Sequence, residues 1–110
     1  MTDLYIFDID GTLADGSHRV HLIEGENKRW QDYFALCGKD APIWPVLKTL
    51  ERLKHTDAEI LFFSGRSDEV REETVCWLAA HTSFADYELR APGVLTMRDA
   101  GDYTQDHVYL

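Results

Sequence analysis

Leu4-Tyr5-Ile6-Phe7-Asp8-Ile9-Asp10-Gly11-Thr12 decides the fold: an unbroken apolar run ends in two carboxylates one residue apart, and then a glycine. Short continuous apolar runs, as opposed to alternating ones, belong to strands covered on both faces, as in parallel sheets. Ile60-Leu61-Phe62-Phe63 repeats the pattern and ends in Ser64-Gly65-Arg66. Val94-Leu95-Thr96-Met97 repeats it more weakly before Arg98-Asp99. Helical periodicity fills the intervals. Trp30, Tyr33, Phe34 and Cys37 fall at i, i+3, i+4 and i+7, with Gly38 as a stop. Val46, Leu47, Leu50 and Leu53 form a second stripe, opened by Pro42 and Pro45 and loaded with Lys48, Arg52 and Lys54 toward its end. Ser67-Asp68-Glu69 opens a third helix, whose inner face carries Val70, Thr74, Trp77, Leu78 and His81. Strand, helix, strand, helix, strand predicts an α/β fold, a parallel sheet with helices on its faces.

The chain has 110 residues, 45% of them hydrophobic, which is one domain with a sizeable core. Barrels of eight strand-helix units are excluded, and so is a two-domain enzyme. Folding at this size buries roughly two thirds of the unfolded surface, so no metal or disulfide staple is required. Lys+Arg of 11 against Asp+Glu of 20 gives a net charge of −9. That charge argues against a general attraction for nucleic acid or anionic membrane, though a local pair of arginines can still grip one phosphate. Cys37 and Cys76 have neither disulfide-framework nor zinc spacing and read as buried thiols of a reducing cytoplasm. The N-terminus carries an acid where a signal peptide has a basic residue, and no run approaches a membrane span. The expectation is a soluble, cytoplasmic, uncleaved protein with no membrane partner.

In parallel α/β sheets, ligands bind just beyond the carboxyl ends of the strands. All three candidate strands end there in polar, chemically capable residues. Asp8 and Asp10 can project into one crevice, where they would hold a divalent cation or divide nucleophile and acid/base duties. Gly11 lets the backbone approach a bound anion. An Asp-rich turn closing a strand is the bland alternative, but an apolar run leading into DxDGT is far more specific than a lone DxD. Ser64-Gly65, leading toward a helix N-terminus, would form an anion seat, with the Ser64 hydroxyl as a donor. Arg66 offers a planar fork for a phosphate.

DIDGTLAD at 8–15 and FFSGR at 62–66 resemble the first two motifs of haloacid dehalogenase (HAD) superfamily phosphatases. Gly16-Ser17-His18-Arg19, REETVCWL at 71–78 and MRDAGDYTQDH at 97–107 narrow the likeness to the 3′-phosphatase domain of bacteriophage polynucleotide kinases. The resemblance implies a Rossmann-like three-layer α/β/α domain over residues 1–110, with a minimal cap: a short helical insert at 14–45 over the site. It implies Asp8 as the nucleophile that forms an aspartyl-phosphate and Asp10 as the general acid/base. Mg²⁺ would be held by Asp8, by the backbone carbonyl of Asp10 and by a later acid. Thr12, Arg19, Ser64, Gly65 and Arg66 would bind the substrate phosphate, and Asp106 matches a further essential acid. A phosphomonoester dianion repels an attacking carboxylate, so Mg²⁺, Arg66 or Arg19 must neutralise it first. The function implied is a Mg²⁺-dependent phosphomonoesterase acting on a nucleotide or polynucleotide 3′-phosphate. With a charge of −9, an end-binding mode or a small nucleotide is easier to accept than long nucleic acid.

Two departures from the family pattern bear on this. Leu110 stands where the family has a lysine, and the fourth motif, usually two acids ending another strand, is missing. The family's strand beside the first is then missing too, which leaves Leu4 to Phe7 with an open edge. The expectations are a fold incomplete at its C-terminus or a homodimer covering that edge, and the alternative function is a non-catalytic phosphate- or partner-binding module. A receiver-type phosphoacceptor domain fits poorly, because the middle strand ends in Ser64 and no lysine follows Lys54. Asp99 and Asp102 read as a solvated acidic loop. His18 and His21 lack a third metal ligand nearby. The Trp30/Tyr33/Phe34 stripe reads as core, and Cys76 as a buried small hydrophobe.

Overall fold

In the computed structural model, residues 3–99 are described. Strand β1 (Leu4–Asp8) is followed by the two-residue strand β2 (Ala14–Asp15), a 3₁₀ segment Ser17–Ile23 and helix α1 (Trp30–Ala35). A 3₁₀ turn at Cys37–Lys39 leads to strand β3 (Ala41–Pro42), helix α2 (Trp44–Lys54) and strand β4 (Glu59–Ser67). A 3₁₀ turn at Asp68–Val70, helix α3 (Arg71–His81), helix α4 (Asp86–Leu89) and strand β5 (Leu95–Arg98) complete it. The main sheet has the order β1-β4-β5 with both pairings parallel, and β2 pairs antiparallel with β3. The sequence pattern is therefore met by a parallel sheet flanked by helices.

Strand β4 is the axis of the molecule. Its residues alternate faces with a period of two. Ile60, Phe62, Ser64 and Arg66 form a fully buried row, whereas Leu61, Phe63 and Gly65 are half-buried. The buried row packs into a core that includes Leu47 and Leu50 of α2, Val75, Trp77 and Leu78 of α3, and Leu95 and Met97 of β5. Full burial of a leucine such as Leu50 stabilises by roughly 1.5–3 kcal/mol. Pro45 in the first turn of α2 omits an N–H that would find no acceptor there, and Arg52 and Lys54 in its last turn suit its negative end. Ser67 opens the 3₁₀ turn before α3, its hydroxyl oxygen accepting from the Glu69 amide at 3.3 Å.

Four expectations need correction. Helix α1 stops at Ala35, two residues before Cys37, which lies in the following 3₁₀ turn. Strand β1 is not covered on both faces: Leu4 and Ile6 are each 53% exposed and Tyr5 38%. β1 occupies one edge of the sheet among the described residues, so only its β4 side is paired. Strand β4 does not end at Phe63 but runs on through Ser67, with a register shift against β5 between Phe63 and Ser67. Ser64, Gly65 and Arg66 are therefore strand residues and not the mouth of a helix. Finally, Cys76 is exposed and only Cys37 is buried. At Cys76 the stripe of α3 has turned outward between the buried Val75 and Trp77.

Candidate functional site

The parallel register pairs Asp8 with Phe63, so Asp8 and Asp10 leave β1 beside Ser64 and Arg66 of β4. The chain then reverses sharply. The Ile9 carbonyl accepts from the amides of Thr12, Leu13 and Ala14 at 3.2, 2.9 and 3.0 Å, and the Gly11 amide donates to the Ala14 carbonyl at 2.9 Å. Gly11 sits at φ +79°, in the left-handed region where a side chain is strained. Ile9 and Leu13 anchor the turn in the core, which leaves Asp8 exposed and Asp10 and Thr12 half-buried at its rim. The Asp8 carboxylate accepts from the Ile9 amide at 2.8 Å.

Arg19, from the 3₁₀ segment, and Arg66, from β4, converge on Asp10. Arg19 Nη2 donates to Asp10 Oδ1 at 2.8 Å. Arg66 donates to the same oxygen from Nε at 3.2 Å and Nη2 at 3.0 Å, and reaches Oδ2 from Nε at 3.3 Å. Both arginine side chains are fully buried, whereas Asp10 keeps 30% of its side chain exposed. The two cations thus lie beneath a carboxylate that still faces the opening.

A second acid, Asp40, completes the arrangement from below. Its Oδ1 accepts from Arg19 Nε and His18 Nε2, both at 2.8 Å, and its Oδ2 accepts from Arg19 Nη2 at 2.8 Å and Arg66 Nη2 at 3.1 Å. Its backbone carbonyl accepts from the Trp77 indole at 2.8 Å. Arg19 also donates to the Tyr33 carbonyl at 3.2 Å and lies 4.2 Å from the centre of the Tyr33 ring. Arg66 Nη1 donates to Thr74 Oγ1 at 3.1 Å, and that hydroxyl donates to the Val70 carbonyl at 2.8 Å. Burial opposes the charge on Arg19, but the hydrogen bond to Asp40 and the nearby Asp10 outweigh it and hold its pKa above the ordinary value. Burial pushes the Tyr33 hydroxyl and the Cys37 thiol up. Gly16 is dictated by the same cluster, since a Cβ there would lie 3.1 Å from Arg19 Nη2.

Of the residues read from sequence, the structure brings Asp8, Asp10, Arg19, Ser64 and Arg66 to one end of the β1–β4 pair, with Thr12 and Gly65 at the rim. The Ser64 hydroxyl oxygen accepts from the Arg66 amide at 3.0 Å, so its own proton remains to be donated. Asp102, Asp106 and Leu110 lie outside the described residues. Asp40, Tyr33, Thr74 and Trp77 were missed as members of the site, and His18 joins it as a partner of Asp40. Asp40 carries no local signal, because Arg19 and Arg66 are 21 and 26 positions away in sequence. Only the crossing of distant segments reveals it.

Residues 2–109 match the family model for the polynucleotide kinase PNKP phosphatase domain. The chain belongs to the polynucleotide kinase phosphatase-domain family. Solved structures agree with a HAD-like phosphatase domain. A chain in "Structure of Pnkp1/Rnl/Hen1 complex" superimposes with a TM-score of 0.66 at 26% identity over 97% of this chain and 31% of that one. A chain in "Structure of the Pnkp1/Rnl/Hen1 RNA repair complex" gives 0.65 at 27% identity over 97% and 29%. The phosphatase-domain chain therefore spans about three tenths of the length of those relatives. No curated protein sequence matches it. No helix among its described residues is long and apolar enough to cross a membrane.

The family implies magnesium, and the donor set can be tested against it. Among the described residues no group of three or more His, Cys, Asp or Glu side chains forms a metal cage. The Asp10 carboxylate is turned onto the arginines, whereas the exposed Asp8 carboxylate accepts from the Ile9 amide. Mg²⁺ commonly binds through one or two carboxylates while keeping waters and taking substrate phosphate oxygens as ligands. Asp8 and the Asp10 carbonyl fit that open, oxygen-only arrangement.

Proposed function

We propose that this domain hydrolyses phosphomonoesters through Asp8, with Mg²⁺ as cofactor and a nucleotide or polynucleotide 3′-phosphate as substrate. One observation carries the reading: an exposed carboxylate, Asp8, stands one residue from a carboxylate gripped by two buried arginines, all at the carboxyl end of a parallel strand pair. Asp8 attacks phosphorus and forms an acyl-phosphate bond as the phosphorus–oxygen bond to the leaving alkoxide breaks. Asp10 gives the alkoxide a proton, then takes one from the water that attacks the aspartyl-phosphate, releasing inorganic phosphate and regenerating Asp8. Asp10 Oδ1 accepts three guanidinium contacts, whereas Oδ2 accepts only the long one from Arg66 Nε. Oδ2 is therefore the oxygen placed to carry the transferred proton.

Asp40 holds Arg19 and Arg66 in place, and the guanidinium donors they now give Asp10 are the ones an arriving phosphate would take. Thr12 and Gly65 supply hydroxyl and backbone donors at the rim, and Ser64 a hydroxyl from the buried row of β4. Magnesium, when bound at Asp8 and the Asp10 carbonyl, supplies neutralisation of the phosphoryl oxygens. Residues 14–45 act as the minimal cap, since they deliver Arg19 and Asp40 over the strand ends. Replacing Asp8 with Asn should abolish Mg²⁺-dependent release of phosphate from a generic phosphomonoester. Turnover that survives Asp8→Asn overturns the mechanism.

A second reading, a non-catalytic phosphate- or partner-binding module, has one observation in its favour. Arg19 and Arg66 are already matched in charge by Asp10 and Asp40, so a phosphate dianion meets a neutral cluster. Phosphate binding without turnover at saturating Mg²⁺ would select this reading. A homodimer across the exposed β1 edge belongs to the same proposal, and sedimentation of the wild type against Ile6→Lys reads it.

A further inference from the structure

Four surface cations of this acidic chain are tied to acids among the described residues. Arg29 pairs with Asp32, Lys54 with Glu88, Arg71 with Asp68, and Arg90 with Glu72 and Asp86. Lys28, Lys39, Lys48 and Arg52 are exposed with no ion-pair partner among the described residues, and of these Lys48 and Arg52 stand four positions apart on one face of α2. The same face carries Trp44 one turn earlier, 52% exposed although it is the largest apolar side-chain type. Trp44, Leu47, Lys48, Glu51, Arg52 and His81 line a groove of about 260 Å³. The groove's one acid, Glu51, is engaged in accepting from the Ser83 amide at 2.7 Å.

We infer that this face of α2 is a docking track for single-stranded nucleic acid: a base stacks on Trp44, and the backbone phosphates lie along Lys48 and Arg52. The occupant follows from the chemistry. An exposed indole with two unneutralised cations at successive helical turns complements a strand of alternating π-faces and phosphates, and base–aromatic stacking tolerates any sequence. The track also connects to the reaction centre. The Trp44 ring lies 6.3 Å from that of His81, His81 stacks on Trp77 at 4.3 Å, and the Trp77 indole donates to the carbonyl of Asp40 at 2.8 Å. The inference rests on the proposed polynucleotide reading for its substrate class. It adds where the strand lies when its 3′ end is in the site.

Binding of a fluorescein-labelled oligothymidylate lacking a 3′-phosphate, followed by anisotropy across a salt series in the full-length chain carrying Asp8→Asn, separates docking from turnover. Trp44→Ala should weaken binding by about tenfold or more, with partial rescue by Trp44→Phe. Lys48→Ala with Arg52→Ala should reduce the slope of log affinity against log salt by about 1.4, two phosphate contacts at about 0.7 each. Hydrolysis of a 3′-mononucleotide by chains with Asp8 intact should be unchanged by all three substitutions. Oligonucleotide affinity and salt slope indifferent to these side chains would overturn the track and leave the face to another occupant, such as a protein. Loss of mononucleotide hydrolysis on Asp8→Asn would still uphold the phosphatase reading in that case, so the two failures are distinguishable.

Discussion

Two bidentate ionic forks of the domain stand in opposite surroundings. Arg19 grips Asp40 through Nε and Nη2, both at 2.8 Å, with neither side chain exposed. Arg90 grips Glu72 through Nη1 and Nη2, at 2.8 and 2.6 Å, with side chains 40% and 67% exposed. Both are bidentate, Arg19 side-on and Arg90 end-on; what separates them in energy is dielectric surroundings and connectivity. In water, the Arg90 fork competes with hydration and salt, so it fastens α4 to α3 only weakly. In the interior, the Arg19 fork has no solvent to fall back on, and each member is shared with Asp10, Arg66 or His18. A buried ion network of this kind is weak evidence for added stability, because desolvation offsets the attraction. Its consequence is positional. Two guanidinium groups are fixed beneath one half-open carboxylate, which is what stabilisation of a phosphoryl transition state requires.

Breaking the buried side should have the largest effect. Asp40→Ala leaves two buried arginines under-compensated and should destabilise the fold by about 3–5 kcal/mol, read by urea denaturation. A loss no larger than that of a surface substitution would show that solvent reaches Arg19 and Arg66. Arg66→Lys keeps the charge but cannot span Asp10, Asp40 and Thr74 together. Losing one charge-assisted hydrogen bond costs about 1.5–3 kcal/mol, so phosphomonoesterase kcat/KM should drop by roughly ten- to a hundredfold while the chain stays folded. An unaltered kcat/KM would mean the fork takes no part in the reaction.

The smallest effect belongs to the exposed fork. The hydrogen bond from Arg90 holds the Glu72 carboxyl below its usual range. A depressed folded-state pKa contributes stability above the unfolded value, and that contribution fades as pH falls through the folded one. Glu72→Gln should therefore produce a small drop in Tm at neutral pH that disappears in acid. A drop of equal size at both ends of the titration would show that the pair acts through packing, not charge.

The elements were legible where a local rule governed them. The apolar runs at Leu4–Phe7 and Ile60–Phe63 and the helical stripe at Leu47 and Leu50 announce themselves within a few residues. DIDGT at 8–12 likewise marks the strand end and turn by its own composition. The reading failed where the deciding contact was distant. The open edge expected for Leu4 to Phe7 is met among the described residues, but the run itself does not show that Leu4 and Ile6 stay half exposed, and Cys76 shares its neighbours' hydrophobicity yet turns outward. Arg66 reads equally well as a surface charge until Asp10 and Asp40 are seen around it.

The sequence by itself determined the order of strands and helices, the placing of Asp8 and Asp10 at a strand end, and the family to which such motifs belong. The first two follow from periodicity and turn chemistry, which act over a few residues, and the third from the resemblance that the motifs carry. Tertiary structure decided that Arg19 and Arg66 are buried and shared between two carboxylates, that Asp40 is their anchor, and that Lys48 and Arg52 stand beside Trp44 with no ion-pair partner among the described residues. Those outcomes depend on which segments cross in space. Burial turns the value of a charge from slight to decisive, and no stretch of chain encodes its own burial.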